Sequence, residues 1–188
     1  GTTTELNATD YFAANGMDAS NFLTFASRPE TVQAYIEGRC DTYTTDASGI
    51  AGDRTKFDVP SDHIILPEII SKEPLGPAVR SGDTRWFNIT RWVLNAWLGA
   101  EELGVTFANV DEMLESENPE IRRLLGVEGD FGAPIGLSAD WAYNIVKQVG
   151  NYGESYEANV GPSTALALDR GLNALWTNGG LHYPMPIR

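Results

Sequence analysis

Cysteine is almost absent: Cys40 stands alone among 188 residues. No disulfide can close within the chain, and no CxxC metal site exists. Cys40 reads as a buried free thiol or as half of a pair whose partner lies outside these residues. Histidine is scarce as well. His63 precedes an apolar run and His182 lies in the tail, and neither is near a G-x-S-x-G elbow. A Ser/His/Asp hydrolase therefore has no support. The H-E-x-x-H, P-loop and G-x-G-x-x-G patterns are missing, so no metal or cofactor is expected. Basic residues are few, 13 Lys and Arg against 26 Asp and Glu, for a net charge of −13. That balance argues against nucleic acid and against an anionic membrane surface. No apolar run is long enough to span a bilayer, and no signal peptide opens the chain. A signal can be removed, so compartment stays open on this evidence.

What is present is a normal globular composition, 42% hydrophobic and 21% charged,. The first 80 residues alternate short apolar runs with helical patterns. A helix is expected over 5–15, ended by Gly16, and a second opens at Pro29 with Gly38 beyond its end. Strands are expected at 21–26, 41–45, 63–66 and 75–79, the last interrupted by Pro77. Residues 53–62 read as a polar loop, and 67–74 as a hinge. This rhythm predicts an α/β sheet with helical crossovers. After Asp83 the pattern turns helical. One long helix is expected over 83–104, with Trp86, Phe87, Ile89, Trp92, Val93, Ala96 and Trp97 as a core-facing side. Shorter helices follow at 109–116, 119–125, 138–149, 151–160 and 163–176, around an irregular stretch at 126–137. The tail from Gly179 reads as extended chain lying over a surface.

Binding has more support than catalysis. Paired acids such as Glu101/Glu102, Asp111/Glu112 and Glu115/Glu117 fit solvated helix faces. Gly1-Thr2-Thr3-Thr4-Glu5 is different, because Thr2 and Glu5 fit an S/T-x-x-E capping box. A helix start rich in hydroxyls and unpaired amides suits a carboxylate or phosphate. Asp46 follows the expected strand at 41–45, on the sheet edge where α/β folds bind ligands. An α-amino acid offers the complement: a carboxylate for the helix start and an ammonium for Asp46. An ordinary N-cap is the competing reading of both positions.

At these residues the chain resembles the periplasmic amino-acid-binding proteins of ABC transporters. The resemblance rests on Gly1-Thr2-Thr3-Thr4-Glu5, on Gly38-Arg39-Cys40-Asp41 with Thr45-Asp46, and on Leu75-Gly76-Pro77-Ala78-Val79-Arg80-Ser81-Gly82-Asp83. Ile64-Leu66-Pro67-Glu68-Ile69 and the stretch from Arg170 to Trp176 look like the general L-amino-acid subgroup. The resemblance implies a partial type II periplasmic-binding fold. Residues 1–74 would be the second α/β lobe lacking its first strand. Residues 75–188 would be the return strand and the mostly helical C-terminal part of the first lobe. It also implies that Thr3 holds the ligand carboxylate and Asp46 the α-ammonium, with Thr2 and Thr4 as weaker ligand-binding neighbours. The implied partners are an L-amino acid and an inner-membrane ABC permease, and the implied place is the periplasm.

The family's first lobe, with its ligand-forking arginine and covering aromatic residues, has no counterpart here. Arg39, Arg54 and Arg80 do not occupy that arginine position. A subgroup cysteine on the missing strand would explain an unpaired Cys40. A truncated chain is therefore expected, with weak binding or none. Its Trp86, Trp92 and Trp97 face would be left open to drive homo-oligomer formation. Two alternatives stand beside transport: a lyase of cyclohexadienyl-dehydratase type on the same fold, and a ligand-sensing module.

Overall fold

Helices carry nearly all of the regular structure in the computed structural model, which describes residues 2–72 and 74–188. Gly1 of the opening motif and Glu73 of the expected hinge lie outside the described residues. The chain divides into two units, Gly1–Leu75 and Gly76–Arg188.

The first unit holds α1 (Thr3–Ala14), α2 (Arg28–Ile36) and α3 (Ala47–Arg54). Pro29 sits in the first turn of α2, where its missing N–H costs nothing,. Glu30 reaches back to accept from the Ala26 amide at 3.1 Å. The far end closes through Gly38 at φ 71°, a left-handed position that glycine takes without strain,. This turn lets the Arg39 amide bond the Ala34 carbonyl at 2.9 Å. Burial in this unit is thin. Ala8, Ala34 and Ala51 are its buried apolar residues among those described. Around them Tyr35 meets the Tyr43, Phe57 and His63 rings, and Phe57 lies 4.4 Å from His63. Ile64, Ile69 and Leu75 are exposed.

The second unit holds α4 (Thr84–Glu102), α5 (Pro119–Leu124), α6 (Trp141–Val149) and α7 (Tyr152–Asn159). Each start but one is capped by a side chain. Asp83 accepts from the Trp86 amide at 2.9 Å, Asn118 accepts from Glu120, and Asn151 and Glu154 form a reciprocal box,. The α4 helix packs on α5, α6 and α7. Its contribution to the core is small: Ala96 and Ala100 let Val105, Val110, Leu124, Leu125, Trp141 and Val146 close around them. Each larger aliphatic side chain buried this way contributes about 1.5–3 kcal/mol. Trp97 donates to the Gly150 carbonyl at 2.8 Å, tying α4 to the turn before α7. Arg170 pairs with Glu101 at 3.0 Å and lies over the rings of Tyr152 and Tyr156,. The tail is pinned where the Met185 amide donates to Asn95 at 2.7 Å.

The structure departs from the sequence expectations at several places. Among the described residues no β-ladder forms, and the single bridge joins Leu175 and His182. The segments 21–26, 41–45, 63–66 and 75–79 make no backbone hydrogen bond to a neighbouring extended segment. Strand propensity is realised only through pairing, and these segments have no strand partner among the described residues,. The expected helix at 163–176 is replaced by turns, with 3-10 turns at Gly171–Asn173 and Trp176–Asn178. Thr164 accepts from the Leu166 amide and Ala167 takes φ 50°, both of which compete with helical bonding,. The loop expected from Asp53 begins later, because α3 runs to Arg54 and Asp53 is 4% exposed. The apolar side of α4 is also narrower than expected. Trp86 and Phe87 are exposed, Trp92 and Trp97 are half-buried, and the helix is sealed by Ala96, Leu98 and Ala100.

Candidate binding site

The opening threonines form a helix start. Thr2 is the N-cap of α1 in extended backbone, and its hydroxyl accepts from the Glu5 amide at 3.4 Å. Thr3 and Thr4 are the first two helical residues, with Thr2 and Thr3 exposed and Thr4 half-buried. Amides in a first turn have no earlier carbonyl to bond, so they remain available to an acceptor from outside the helix. The helix end carries a positive partial charge that favours an anion.

Asp46 occupies the N-cap position of α3, yet its carboxylate bonds none of that helix's amides. Its backbone carbonyl does accept from the Ile50 amide at 2.9 Å. The side chain is exposed and has no ion pair or hydrogen bond within the described residues. An ordinary capping aspartate is occupied by its own helix, whereas this one is free to meet a cation. Thr2, Thr3, Thr4 and Asp46 all belong to the first unit, and among the described residues no hydrogen bond joins the threonines to Asp46.

One residue escaped the sequence reading. Asp53 is buried at the inner side of α3, where Arg28 holds it through Nε at 2.9 Å and Nη2 at 2.8 Å. Lys56 and Tyr43 approach the same carboxylate, each at 3.4 Å. Burial first, and the Asp53 charge second, push the Tyr43 phenol up to about 12. Tyr35 in turn shares a hydrogen bond of 2.7 Å with His63 Nδ1, so His63 is taken up by packing. A sequence signal for this cluster does exist. Arg28 opens α2, while Asp53 sits within a helical pattern that Ile50 and Ala51 continue past Asp46.

Arg39 lies over the Phe25 ring at 5.4 Å. It borders a shallow depression with Glu30 and Glu37, whose carboxylates make it a poor anion site. Cys40 is a free, half-buried thiol. No cluster of three or more His, Cys, Asp or Glu suited to a metal occurs among the described residues. Among the described residues no helix is long and apolar enough to cross a membrane.

No family model matches the chain. Curated relatives do. The general L-amino acid-binding periplasmic protein AapJ of Rhizobium johnstonii is 55% identical over 190 residues, covering 100% of this chain and 55% of its own length. The glutamate/glutamine/aspartate/asparagine-binding protein BztA of Rhodobacter capsulatus is 53% identical, covering 100% of this chain and 56% of its own. The putative amino-acid ABC transporter-binding protein YhdW of Escherichia coli is 50% identical over 189 residues. Among solved structures, a periplasmic binding protein from Brucella ovis with glutathione bound matches with a TM-score of 0.91 at 54% identity. That match covers 100% of this chain and 59% of the other. The chain thus spans about half the length of the curated relatives it matches.

Proposed function

From a chain homologous along its whole length to amino-acid-binding periplasmic proteins of ABC transporters, we propose the following function. It is part of a solute-binding component that works in the periplasm and delivers L-amino acids to a permease in the inner membrane. The observation that carries the site is the free Asp46 carboxylate at the start of α3. In this reading Asp46 receives the ligand's α-ammonium. Thr3 receives the α-carboxylate through its hydroxyl and amide, and Thr2 and Thr4 flank it at the start of α1. Residues 1–74 serve as the second, ligand-binding lobe of an α/β clamp. Residues 75–188 serve as the return strand and C-terminal helices of the first. The curated relatives are named as binding proteins, which supports binding over the lyase alternative.

The ligand range extends to γ-glutamyl peptides. Glutathione, bound by the Brucella ovis relative, carries a free α-carboxylate and α-ammonium at its glutamyl end, the same pair an amino acid presents. The test uses a chimera in which these 188 residues replace the aligned stretch of AapJ. Calorimetric titration with L-amino acids and glutathione is expected to give saturable binding that Asp46→Ala abolishes. Full binding by the Asp46→Ala chimera would overturn the site.

The chain by itself is proposed to self-associate through the exposed Trp86 and Phe87 at the start of α4,. Light scattering across a concentration series is expected to show a mass at least twice that of the chain, and a monomer throughout would refute it.

A further inference from the structure

The clamp on α3 has a second grip besides Asp53. The same Arg28 Nη2 donates to the carbonyl of Gly49 at 2.6 Å, one turn after Asp46. Gly49 and Asp53 are four residues apart, so they lie one above the other on one face of α3. A planar guanidinium that holds both cannot swivel, and it fixes the rotation of the helix about its axis as well as its position along it. Space at this point is tight. A Cβ on Gly49 would stand 3.1 Å from Arg28 Nη2 and 3.3 Å from the Thr45 methyl. Arg28 therefore lies against the first turn of α3, the turn that has Asp46 at its N-cap position. Asp53 is well matched to this job, because its side chain is only 6% exposed and Tyr43 and Lys56 crowd its remaining oxygen positions.

We propose that Arg28 is a positioning residue for ligand binding: by holding Gly49 and Asp53 together it sets where α3 presents Asp46. This rests on the reading that Asp46 receives the α-ammonium. Arg28 itself does not touch the ligand. Removing it leaves the Asp46 carboxylate chemically intact but lets α3 rotate, and a misplacement near 1 Å costs up to about a hundredfold where geometry is demanding.

Two measurements test this. In the AapJ chimera, Arg28→Gln is expected to weaken L-glutamate binding about tenfold or more. It should spare L-2-hydroxyglutarate, which has no ammonium for Asp46 to meet, and Arg28→Lys should restore part of the loss. Equal weakening of both ligands would show a general packing role and overturn the proposal. The second measurement needs no ligand. In the 188-residue chain, Arg28→Gln is expected to speed amide exchange at Ile50, in the first turn of α3, and not at Leu6 in α1. Unchanged exchange at Ile50 would overturn it as well. If Asp46→Ala leaves binding intact, the function reading fails by itself, and the exchange measurement still reports whether Arg28 sets α3.

Discussion

Two aspartates in the first unit show how little residue identity says without its neighbours. Asp46 stands at the N-cap of one short helix and Asp53 belongs to it, yet Asp46 is exposed with no partner among the described residues and Asp53 is buried and held by an arginine. In the proposed reading binding falls to the first, while the second holds α3 against Arg28. The two histidines make a similar point. His63 is satisfied by the Tyr35 hydroxyl. His182 has a buried Nδ1 with no hydrogen-bond partner, and its ring stands edge-on to Tyr152 at 4.8 Å. Burial first, and the nearby Arg170 cation second, hold its pKa below the ordinary 6.5, against the opposing pull of Glu101. The folded state therefore prefers neutral His182, while the unfolded chain takes up a proton near 6.5. Between that value and the lower folded one, the unfolded state binds more protons, so stability falls as pH falls. Above 6.5 both states are neutral and this group contributes no pH dependence. Thermal melts from about pH 8 down to about pH 5 should show the loss beginning near 6.5. His182→Phe should flatten that part of the curve relative to wild type, and an unchanged slope would refute the assignment.

At the scale of elements, helices were readable where local chemistry makes them. Pro29 with Gly38, Asp83 with the apolar run behind it, Pro119 and Gly150 all bound helices that the structure contains. Capping residues and glycine stops act within a few residues of chain, so a sequence displays them completely. Strands were not readable in the same way. Thr42-Tyr43-Thr44-Thr45 has every local mark of a strand, but a strand becomes one only beside another, and none pairs with it among the described residues,. The expected helix at 163–176 failed for the opposite reason, because a hydroxyl at Thr164 and turns at Ala167 and Gly171 satisfied the backbone locally. For the site, the helix start at Thr2 and the cap position of Asp46 were legible. The emptiness of the Asp46 cap was not, since whether a carboxylate turns toward its own helix depends on packing. The Arg28–Asp53 grip was hidden because it joins residues 25 positions apart across two helices.

At the scale of the whole molecule, the two units are unequally built. The buried apolar residues of the first, among those described, are Ala8, Ala34 and Ala51. The second buries Val105, Val110, Leu124, Leu125, Trp141 and Val146 in one cluster. A methyl group contributes about 0.8 kcal/mol on burial, against about 1.5–3 for the larger side chains, so the cores differ several-fold in driving force. The Arg28–Asp53 pair does not close that gap, because the Arg28 side chain is 49% exposed and solvent screens much of what the pair gains,. The first unit should unfold at lower denaturant than the second. The chain carries its own reporter for this. All five tryptophans, Trp86, Trp92, Trp97, Trp141 and Trp176, lie in the second unit. Tryptophan fluorescence then follows the second unit alone, while far-ultraviolet circular dichroism follows the helices of both. In a urea titration the dichroism signal should begin to fall before the fluorescence changes, and the two curves should separate. Two probes that do not coincide mark a transition that is not two-state. Coincident curves would refute the inequality argued from burial, because they would require α1, α2 and α3 to be as firmly held as α4 and α6.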